Sequence, residues 1–425
     1  MRNKIIIGCL LLGALSAKAQ DARLSAVEYK ERVLEYSRQI KQSSEERIAM
    51  QHAIKAAKTG FFPSVDFSGS YQYRINKYDL DSVEMDHNTY SLGATVSQPI
   101  YAGGQIYNNY KAAQVQGKIT EQAEELTTDN IVYSADLNYW TAAARKGMYD
   151  VMCQYVDIVG ELANVLTIRF NDGQISKTDL LQVESRLKEA ELNKSSAYKE
   201  YQIALQNLNS LMGVSPLDPI EVEDSITTYL ALPLQVGEDV ALRNRPDYAI
   251  SELNIEYQKR QINLSKAKYN PSLAIGFQGT WGTPMLNVKG SDQLWTPAVF
   301  ASLKIPLFRW GARFKEVNSQ KAILRSKEYA LDNTRDKIAQ EVANAWTSLT
   351  EYTKQITVAE EACKIAEENL DLNTFSYNEG KLPILDVLSA QLSWIQSYSS
   401  LIQTWYQQKA SLAQYNKAIG IRRLQ

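Results

Sequence analysis

Side chains that could carry out chemistry are unevenly distributed in this sequence, which has 48 Asp and Glu residues but 2 His and 3 Cys. Two carboxylates can act as general acid and base when both reach one pocket. The adjacent pairs lie instead in stretches with helical periodicity, where they predict solvated helix faces: Glu45-Glu46, Glu124-Glu125, Glu360-Glu361 and Glu367-Glu368. We find no nucleotide-binding, zinc-protease, dithiol or nucleophile-elbow motif. The sequence therefore predicts neither an enzyme nor a cofactor site.

The histidines and cysteines are isolated from one another. His52 lies in a helical stretch and His87 in a polar loop, and one histidine does not make a metal site. Cys153 and Cys363 both lie inside helical patterns, and Cys363 falls on a core position, where a small buried apolar side chain is expected. We therefore predict no metal site and no disulfide framework.

Two further carboxylates stand near the start of a predicted helix, each shortly after a glycine-containing turn. Asp386 follows Pro383, in the first helical turn, where the helix dipole favours a negative charge. The same carboxylate could instead face a constriction and raise the local concentration of cations. Asp179 follows Ser176 at the third position of an arrangement close to a capping box, so capping is the first interpretation there. Both roles of Asp386 stay open on these residues alone.

A twofold internal repeat organises the elements that carry these residues. With the chain laid on itself at an offset of 207 residues, turn and cap positions coincide: Pro99 with Pro306, Gly104 with Gly311, Phe170 with Tyr377, Asn171 with Asn378, Gly173 with Gly380, Asp179 with Asp386 and Gly213 with Gly420. Such residues rarely keep one spacing by chance, which indicates two copies of one unit. We assign residues 20–213 to the first repeat, 214–245 to an equatorial junction and 246–425 to the second repeat.

Each repeat is predicted to contain one very long helix and a returning helix. Between Ile338 and Tyr377, core positions alternate steps of four and three residues, and this 3.5-residue period is typical of a coiled coil. A helix over residues 312–377 would be about 100 Å long, and its counterpart covers residues 105–170. The other helices are predicted over residues 24–58, 177–212, 246–269 and 384–419.

Four segments alternate apolar residues with small or polar ones, over residues 64–74, 89–99, 272–282 and 295–307. Transmembrane β-strands with lipid on one side and water on the other have this pattern. Aromatic residues cluster near both ends of the segments, as in membrane-interface belts, with one group at the helix side and one at the loop side: Phe61, Phe62, Tyr101, Phe308 and Trp310, then Tyr71, Tyr73, Tyr90, Trp281 and Trp295. The alternative is that these rings pack a soluble core.

The N-terminus predicts export from the cytoplasm. Residues 1–19 have basic residues, an apolar run and an A-x-A site at Ala17-Lys18-Ala19, as in a cleavable signal peptide. Cys9 sits too early in the apolar run for a lipobox, so lipidation is not expected. Without the signal, 43 of the 46 basic residues remain against 48 acidic ones, which does not indicate a nucleic-acid binder. No window of 18 apolar residues follows, so we expect no membrane-spanning helix.

Four amphipathic strands cannot close a barrel, and an open sheet edge cannot face lipid because its backbone groups would be unpaired. The chain must therefore oligomerise if it inserts in a membrane. Two copies would give eight strands with a filled interior, whereas three would give twelve strands and a lumen. The small residues on the polar faces favour the hollow arrangement.

The whole mature chain resembles the TolC-like outer-membrane efflux proteins. The resemblance rests on the repeat, on residues 98–104 (QPIYAGG) with their counterpart 305–311 (IPLFRWG), and on the turns Phe170-Asn171-Asp172-Gly173 and Tyr377-Asn378-Glu379-Gly380. It implies an α+β membrane protein in the outer membrane of a Gram-negative-type envelope. Each protomer of a homotrimer would contribute four transmembrane strands to a 12-stranded barrel, and long coiled-coil helices would form a periplasmic α-barrel.

The resemblance also implies partners and a gate. The turns at Asn171, Gly173, Asn378 and Gly380 would contact a periplasmic adaptor that brings an inner-membrane pump. Tyr377 matches the family's gate tyrosine and Asp386 its first aspartate ring, whereas Asp179 could serve capping or gating.

The sequence departs from the family pattern near this gate. Ser389 stands where the best-known members have a second aspartate ring, and Leu382 where they have an arginine. These departures weaken any transfer of an ionic gate to this chain.

The leading functional hypothesis is a passive export duct, whose energy and selectivity come from its partners. A periplasmic coiled-coil scaffold or adaptor without a membrane barrel is the alternative from another class. Drugs, toxic compounds, metals and proteins cannot be separated as cargo, because a water-lined tube need not recognise what passes through it.

Overall fold

The computed structural model describes residues 22–75, 79–80, 83–84, 87–282, 287–288 and 294–421. The predicted signal peptide and Cys9 lie outside these residues. The described helices are α1 (Ala26–Tyr36), α2 (Arg38–Thr59), α3 (Gln105–Asn171), α4 (Lys177–Met212), α5 (Glu238–Asn244), α6 (Pro246–Ala267), α7 (Ala312–Asn378) and α8 (Ile384–Ala418). The described strands are β1 (Ala22–Leu24), β2 (Ser64–Tyr73), β3 (Asp79–Leu80), β4 (Val83–Glu84), β5 (Asn88–Ala102), β6 (Ile220–Val222), β7 (Ser272–Gly282), β8 (Asn287–Val288) and β9 (Leu294–Lys304).

The two longest helices, α3 and α7, have 67 residues each, which corresponds to a length of about 100 Å. Both start after a glycine in the left-handed conformation, Gly104 with φ 86° and Gly311 with φ 73°. The heptad positions predicted in α7 are all buried or half-buried, from Ile338 to Tyr377. Cys363 is among them, and burial raises the pKa of its thiol to about 11, so it stays a protonated, inert side chain.

The N-terminal helix is two helices rather than the single one predicted over residues 24–58. The break is at Ser37, whose ψ of 114° is not helical. Ser37 ends α1 by donating its N–H to Val33 O at 2.9 Å, and it starts α2 by accepting from Ile40 N at 3.4 Å. Ser37 serves both purposes because its backbone N–H closes the last turn of α1, while its hydroxyl accepts from an N–H in the first turn of α2 that has no helical partner.

The main sheet has four antiparallel strands in the order β2-β5-β7-β9. Its central pair joins the two repeats, because β5 belongs to the first and β7 to the second. Two smaller sheets are described, one with the order β3-β4-β8 and one in which β1 pairs with β6 in parallel. The predicted combination of long helices with four main strands per chain is confirmed.

Strand β9 ends at Lys304 and not at residue 307 as predicted. Its counterpart β5 continues through Pro99 to Ala102, with a bulge between Pro99 and Tyr101, because it pairs with β7 as far as Ser272. Within the described residues β9 lies at the edge of the sheet, so residues 305–309 have no strand beside them on their outer side. The prediction was wrong because it counted alternation and ignored the missing neighbour.

Buried polar groups tie the equatorial junction to the long helices. Lys409 of α8 lies between two indole rings, with Nζ 4.8 Å from the centroid of Trp140 and 5.3 Å from that of Trp405, and it donates to Thr228 O. Burial lowers the pKa of this ammonium group to about 8, although the nearby Asp224 carboxylate favours the charged form.

One 18-residue window in α3 is long and apolar enough, by length and composition, to cross a membrane, contrary to the expectation of none. This helix packs against α2, α4, α6 and α8.

Candidate functional site

The main sheet has one apolar face. Directly paired residues of neighbouring strands lie on the same face of a sheet. The register pairs Val65 with Val96, Val96 with Phe277, and Phe277 with Val299. Alternation along each strand adds the other apolar positions to this face: Phe67, Tyr71, Leu92, Ala94, Ile275, Trp281, Trp295, Ala301 and Leu303. Many of these side chains are exposed, so the sheet presents a broad apolar surface.

Apart from Phe300, which pairs with Gly276, the opposite face is polar or carries small side chains. It is formed by Asp66, Ser68, Ser70, Ser91, Gly93, Thr95, Gly276, Gln278, Thr280, Ala298 and Ser302. Ser70 Oγ and Ser91 Oγ are 2.9 Å apart, so hydroxyls of neighbouring strands bond to one another on this side. A sheet with one apolar and one polar face can separate lipid from water.

The predicted belt aromatics lie at the two ends of this sheet. At the helix end, Phe61, Phe62, Tyr101, Phe308 and Trp310 are all exposed. At the loop end, Tyr71, Tyr73, Trp281 and Trp295 are exposed, and the half-buried Tyr90 lies 5.8 Å from the Trp281 ring. Interfacial aromatics are expected to be exposed in the isolated chain, because membrane and not protein would cover them.

The two helical turns at the far end of the long helices have the same backbone geometry. Gly173 and Gly380 have φ 75° and 74°, and each donates its N–H to the residue three positions earlier at 2.9 Å. A Cβ at either glycine would meet nothing within 4 Å. Asn171 and Asn378 are exposed beside them. Glycine is therefore required here by the left-handed conformation and not by crowding.

Arg169 joins the turns of the two repeats, a contact that the sequence analysis did not identify. Its Nη2 donates to Asn378 Oδ1 at 3.1 Å, and its Cζ lies 5.2 Å from the centroid of the Tyr377 ring. Tyr377 is buried and belongs to an apolar cluster that includes Ile384 and Val387 of α8. The only hint in the sequence is that Arg169 is a basic residue in the last turn of α3.

The two helix-start carboxylates differ in their surroundings. Asp179 is half-buried and caps α4 together with Ser176, whose Oγ accepts from Asp179 N at 3.2 Å and donates to Asp179 Oδ2 at 2.9 Å. Asp386 and Ser389 are both exposed on α8, three residues apart and therefore on one side of that helix. Tyr377 and Asp386 belong to neighbouring helices, α7 and α8.

Metal binding has no support in the part of the chain that the structure describes. No group of three or more His, Cys, Asp or Glu side chains is arranged there to hold an ion.

The family model described as outer membrane efflux protein matches two segments, residues 30–214 and 239–421, one for each repeat of the chain. The chain belongs to the outer membrane efflux protein family. Its place is therefore the outer membrane, with the helices extending into the periplasm, as the sequence analysis expected.

Individual relatives are distant in sequence. The chain is 25% identical to nodulation protein T of Rhizobium leguminosarum bv. trifolii over 59% of its own length and 55% of that relative. It is 19% identical to the outer membrane protein TolC of Escherichia coli K12, over 98% of this chain and 85% of TolC. Among solved structures, the outer membrane protein VceC of Vibrio cholerae superposes with a TM-score of 0.79 at 17% identity, over 93% of this chain and 96% of VceC. This likeness shows a common fold.

Proposed function

We propose that this protein is the outer-membrane duct of a tripartite export system and passively carries cargo delivered from the periplasm. The observation that carries the proposal is the four-stranded sheet with one exposed apolar face, one polar face and two long helices continuing from its end. The apolar face would contact outer-membrane lipid, and the polar face would line a water-filled passage. The alternative of a soluble scaffold leaves that apolar surface unexplained.

The duct would be a homotrimer. Strands β2 and β9 form the two edges of the main sheet, and each pairs on one side only among the described residues. Unpaired edges cannot remain in a bilayer, where no water can satisfy their backbone groups. Because the strands alternate in direction, β9 of one copy can pair antiparallel with β2 of the next. Three copies close a 12-stranded barrel, which is wide enough for a lumen.

The helices support the same assembly, because equivalent surfaces of the two repeats differ in burial. Val151 of α3 is 8% exposed and packs with α8 residues such as Ile395. Its counterpart in α7, at the offset of 207, is Val358, which is 66% exposed. Ile365 and Leu372 continue this exposed stripe at heptad spacing. We infer that α4 of a second copy covers the stripe, as α8 covers the equivalent surface within the chain.

The helical turns are the proposed contact with a periplasmic adaptor and its inner-membrane pump. Asn171, Gly173, Asn378 and Gly380 support this because they are exposed at the end of the helices farthest from the sheet. Small toxic compounds are the cargo class proposed from the efflux family. Two relatives are named for other processes, nodulation and the secretion of an alkaline protease. We therefore propose that the pump, and not the duct, sets the cargo.

The proposed periplasmic gate combines Tyr377, Asp386, Ser389 and Asp179. Asp386 would provide one carboxylate per copy, and three of them near a constriction would attract cations. Because Asp179 is engaged in capping, its part in the gate would be to hold α4 in place. Arg169 would hold the turn after α3 and the turn after α7 of one chain together.

The test is the mass of the detergent-solubilised protein together with fractionation of the cell envelope. We expect about three times the mass of the mature chain, in the outer-membrane fraction. A single copy that remains dissolved in periplasmic extract would refute the duct and favour the scaffold. The pump would be identified among the proteins that copurify with the wild type. These partners should be lost when Gly173 and Gly380 are replaced by bulky residues.

A further inference from the structure

Trp310 has a backbone conformation that a bulky residue rarely adopts. Its φ is 46°, in the left-handed region, and it is the one non-glycine residue with positive φ among the described residues. Its side chain is 91% exposed, and its described ring contact is with Phe308, at 5.1 Å. At the offset of 207, the first repeat has Gly103 at this position, with φ 63°. A glycine would therefore fit this conformation without strain, and the presence of tryptophan requires a reason.

Gly103 lies in a corner where the two repeats of one chain meet. Asn270 Nδ2 donates to Gly103 O at 2.8 Å. A Cβ at Gly103 would lie 2.9 Å from Asn270 Cβ and 2.7 Å from Ala267 O. This corner therefore excludes any side chain at Gly103 and is closed by one amide hydrogen bond.

The repeat identifies the residue that would face Trp310. In front of the strands the offset is 208, because Pro63 and Ser64 fall on Pro271 and Ser272. Asn270 therefore corresponds to Phe62. The contact between the repeats within a chain serves as a template for the contact between neighbouring chains. Trp310 then takes the place of Gly103, and Phe62 of the next copy takes the place of Asn270. The corner between copies must be wider than the one within a chain, because a side chain at Gly103 would clash there.

The transferred strand register is chemically consistent. Within a chain, β5 and β7 pair Thr95 with Gln278, and Val96 with Phe277. At the offsets of 207 and 208, the first pair corresponds to Ser302 with Ser70 of the next copy. The second pair corresponds to Leu303 with Gly69 of the next copy. Polar residues meet polar residues, and the apolar face stays continuous across the boundary. A slip by one residue would reverse the two faces, so this register is strongly favoured.

We propose that Trp310 of one copy packs on Phe62 of the next copy, so that aromatic rings close the corner between subunits where Gly103 and Asn270 close the corner within a chain. The inference rests on the proposed trimer. Phe62 is 59% exposed, and its neighbour Phe61 is also exposed, so the chain leaves this surface uncovered. Phe62 cannot donate the hydrogen bond that Asn270 donates, and a ring contact takes its place. The unfavourable backbone of Trp310 is then maintained by assembly.

Cysteine cross-linking tests this contact. In a chain with Cys153→Ala and Cys363→Ala, the pair Trp310→Cys and Phe62→Cys should form covalent trimers under mild oxidation. A Cβ placed on Gly103 would lie 2.9 Å from Asn270 Cβ, and a somewhat wider corner between copies brings the two Cβ atoms to the separation of roughly 3.5–4.5 Å that a disulfide needs. The matched control, Trp310→Cys with Tyr71→Cys, joins aromatic positions at opposite ends of the sheet and should remain monomeric on a denaturing gel. Each single cysteine variant should also remain monomeric.

A second measurement separates this contact from a purely lipid-facing role. Trp310→Gly removes the ring and relieves the backbone, yet we expect it to lower the temperature at which the detergent-solubilised trimer dissociates. The same substitution should have little further effect when Phe62 is already alanine. A trimer that neither cross-links nor dissociates earlier would overturn the corner and leave the duct intact, with Trp310 facing lipid only. A wild-type protein that purifies as a monomer would overturn both.

Discussion

The exposed stripe on α7 gives a quantitative prediction for Val358→Asn. Burying a valine side chain is worth about 1.5–3 kcal/mol. If assembly reduces the exposed fraction of Val358 from 66% to the 8% of its counterpart Val151, somewhat more than half of that is gained at each subunit interface. The substitution should therefore weaken each interface by about 1–2 kcal/mol, and the three interfaces of a trimer by about 3–6 kcal/mol. Asn and Val have similar helix propensities, so the helix itself is little affected.

The assay is the fraction of trimer in detergent as a function of protein concentration and temperature, measured by native mass analysis. Thr357→Asn is the matched control, because Thr357 is the adjacent β-branched residue and is exposed, as is its counterpart Asp150. We expect Val358→Asn to dissociate at a lower temperature than both the control and the wild type. If Val358→Asn and Thr357→Asn have the same dissociation curve, the transfer of contacts from the repeat to the subunit interface is wrong for the helices.

Three further predictions concern backbone, pH and gate. Gly213→Ala should destabilise the chain far more than Gly173→Ala in thermal unfolding. Both glycines have positive φ, but a Cβ at Gly213 would lie 1.9 Å from the Tyr36 ring, whereas one at Gly173 would meet nothing within 4 Å. An equal loss of stability in the two variants would argue against the packing of Tyr36 on Gly213. Lys409 has a pKa lowered to about 8, so the unfolded state binds more protons than the folded state between pH 8 and 10. The free energy of unfolding should therefore rise with pH in that window, by an amount on the order of 3 kcal/mol. Lys409→Met should abolish this rise. Asp386→Asn should change cation selectivity or divalent block in planar-bilayer recordings, and an unchanged conductance in both respects would remove Asp386 from the gate.

Much of the fold follows from local patterns in the sequence. The heptad between Ile338 and Tyr377 predicts which side of α7 is buried, since a helical period repeats every few residues. The left-handed turns at Gly173 and Gly380 are likewise set by the residues themselves. The break at Ser37 was missed because a serine within a helical pattern can stay helical or cap a new helix, and packing determines which occurs.

The candidate gate was only partly accessible to this reasoning. Tyr377 and Asp386 were named through the family resemblance, whereas Arg169 was not, because its partner Asn378 lies 209 positions away in the chain. Trp310 was predicted as a belt aromatic, but its strained backbone and its equivalence to the enclosed Gly103 emerge only from the coordinates.

By itself, the sequence determined the buried side of the long helix α7 and the amphipathic character of each strand, because these are periodicities within short stretches. It also determined the twofold repeat, because turn and cap residues recur at one offset along the chain. The tertiary structure decided the strand order and register, the single apolar face that four separate strands build together, and the two open edges. These depend on contacts between β5 and β7, which are close in space but far apart along the chain. Only the folded chain therefore shows which surfaces each repeat covers for the other, and which it leaves for a second copy.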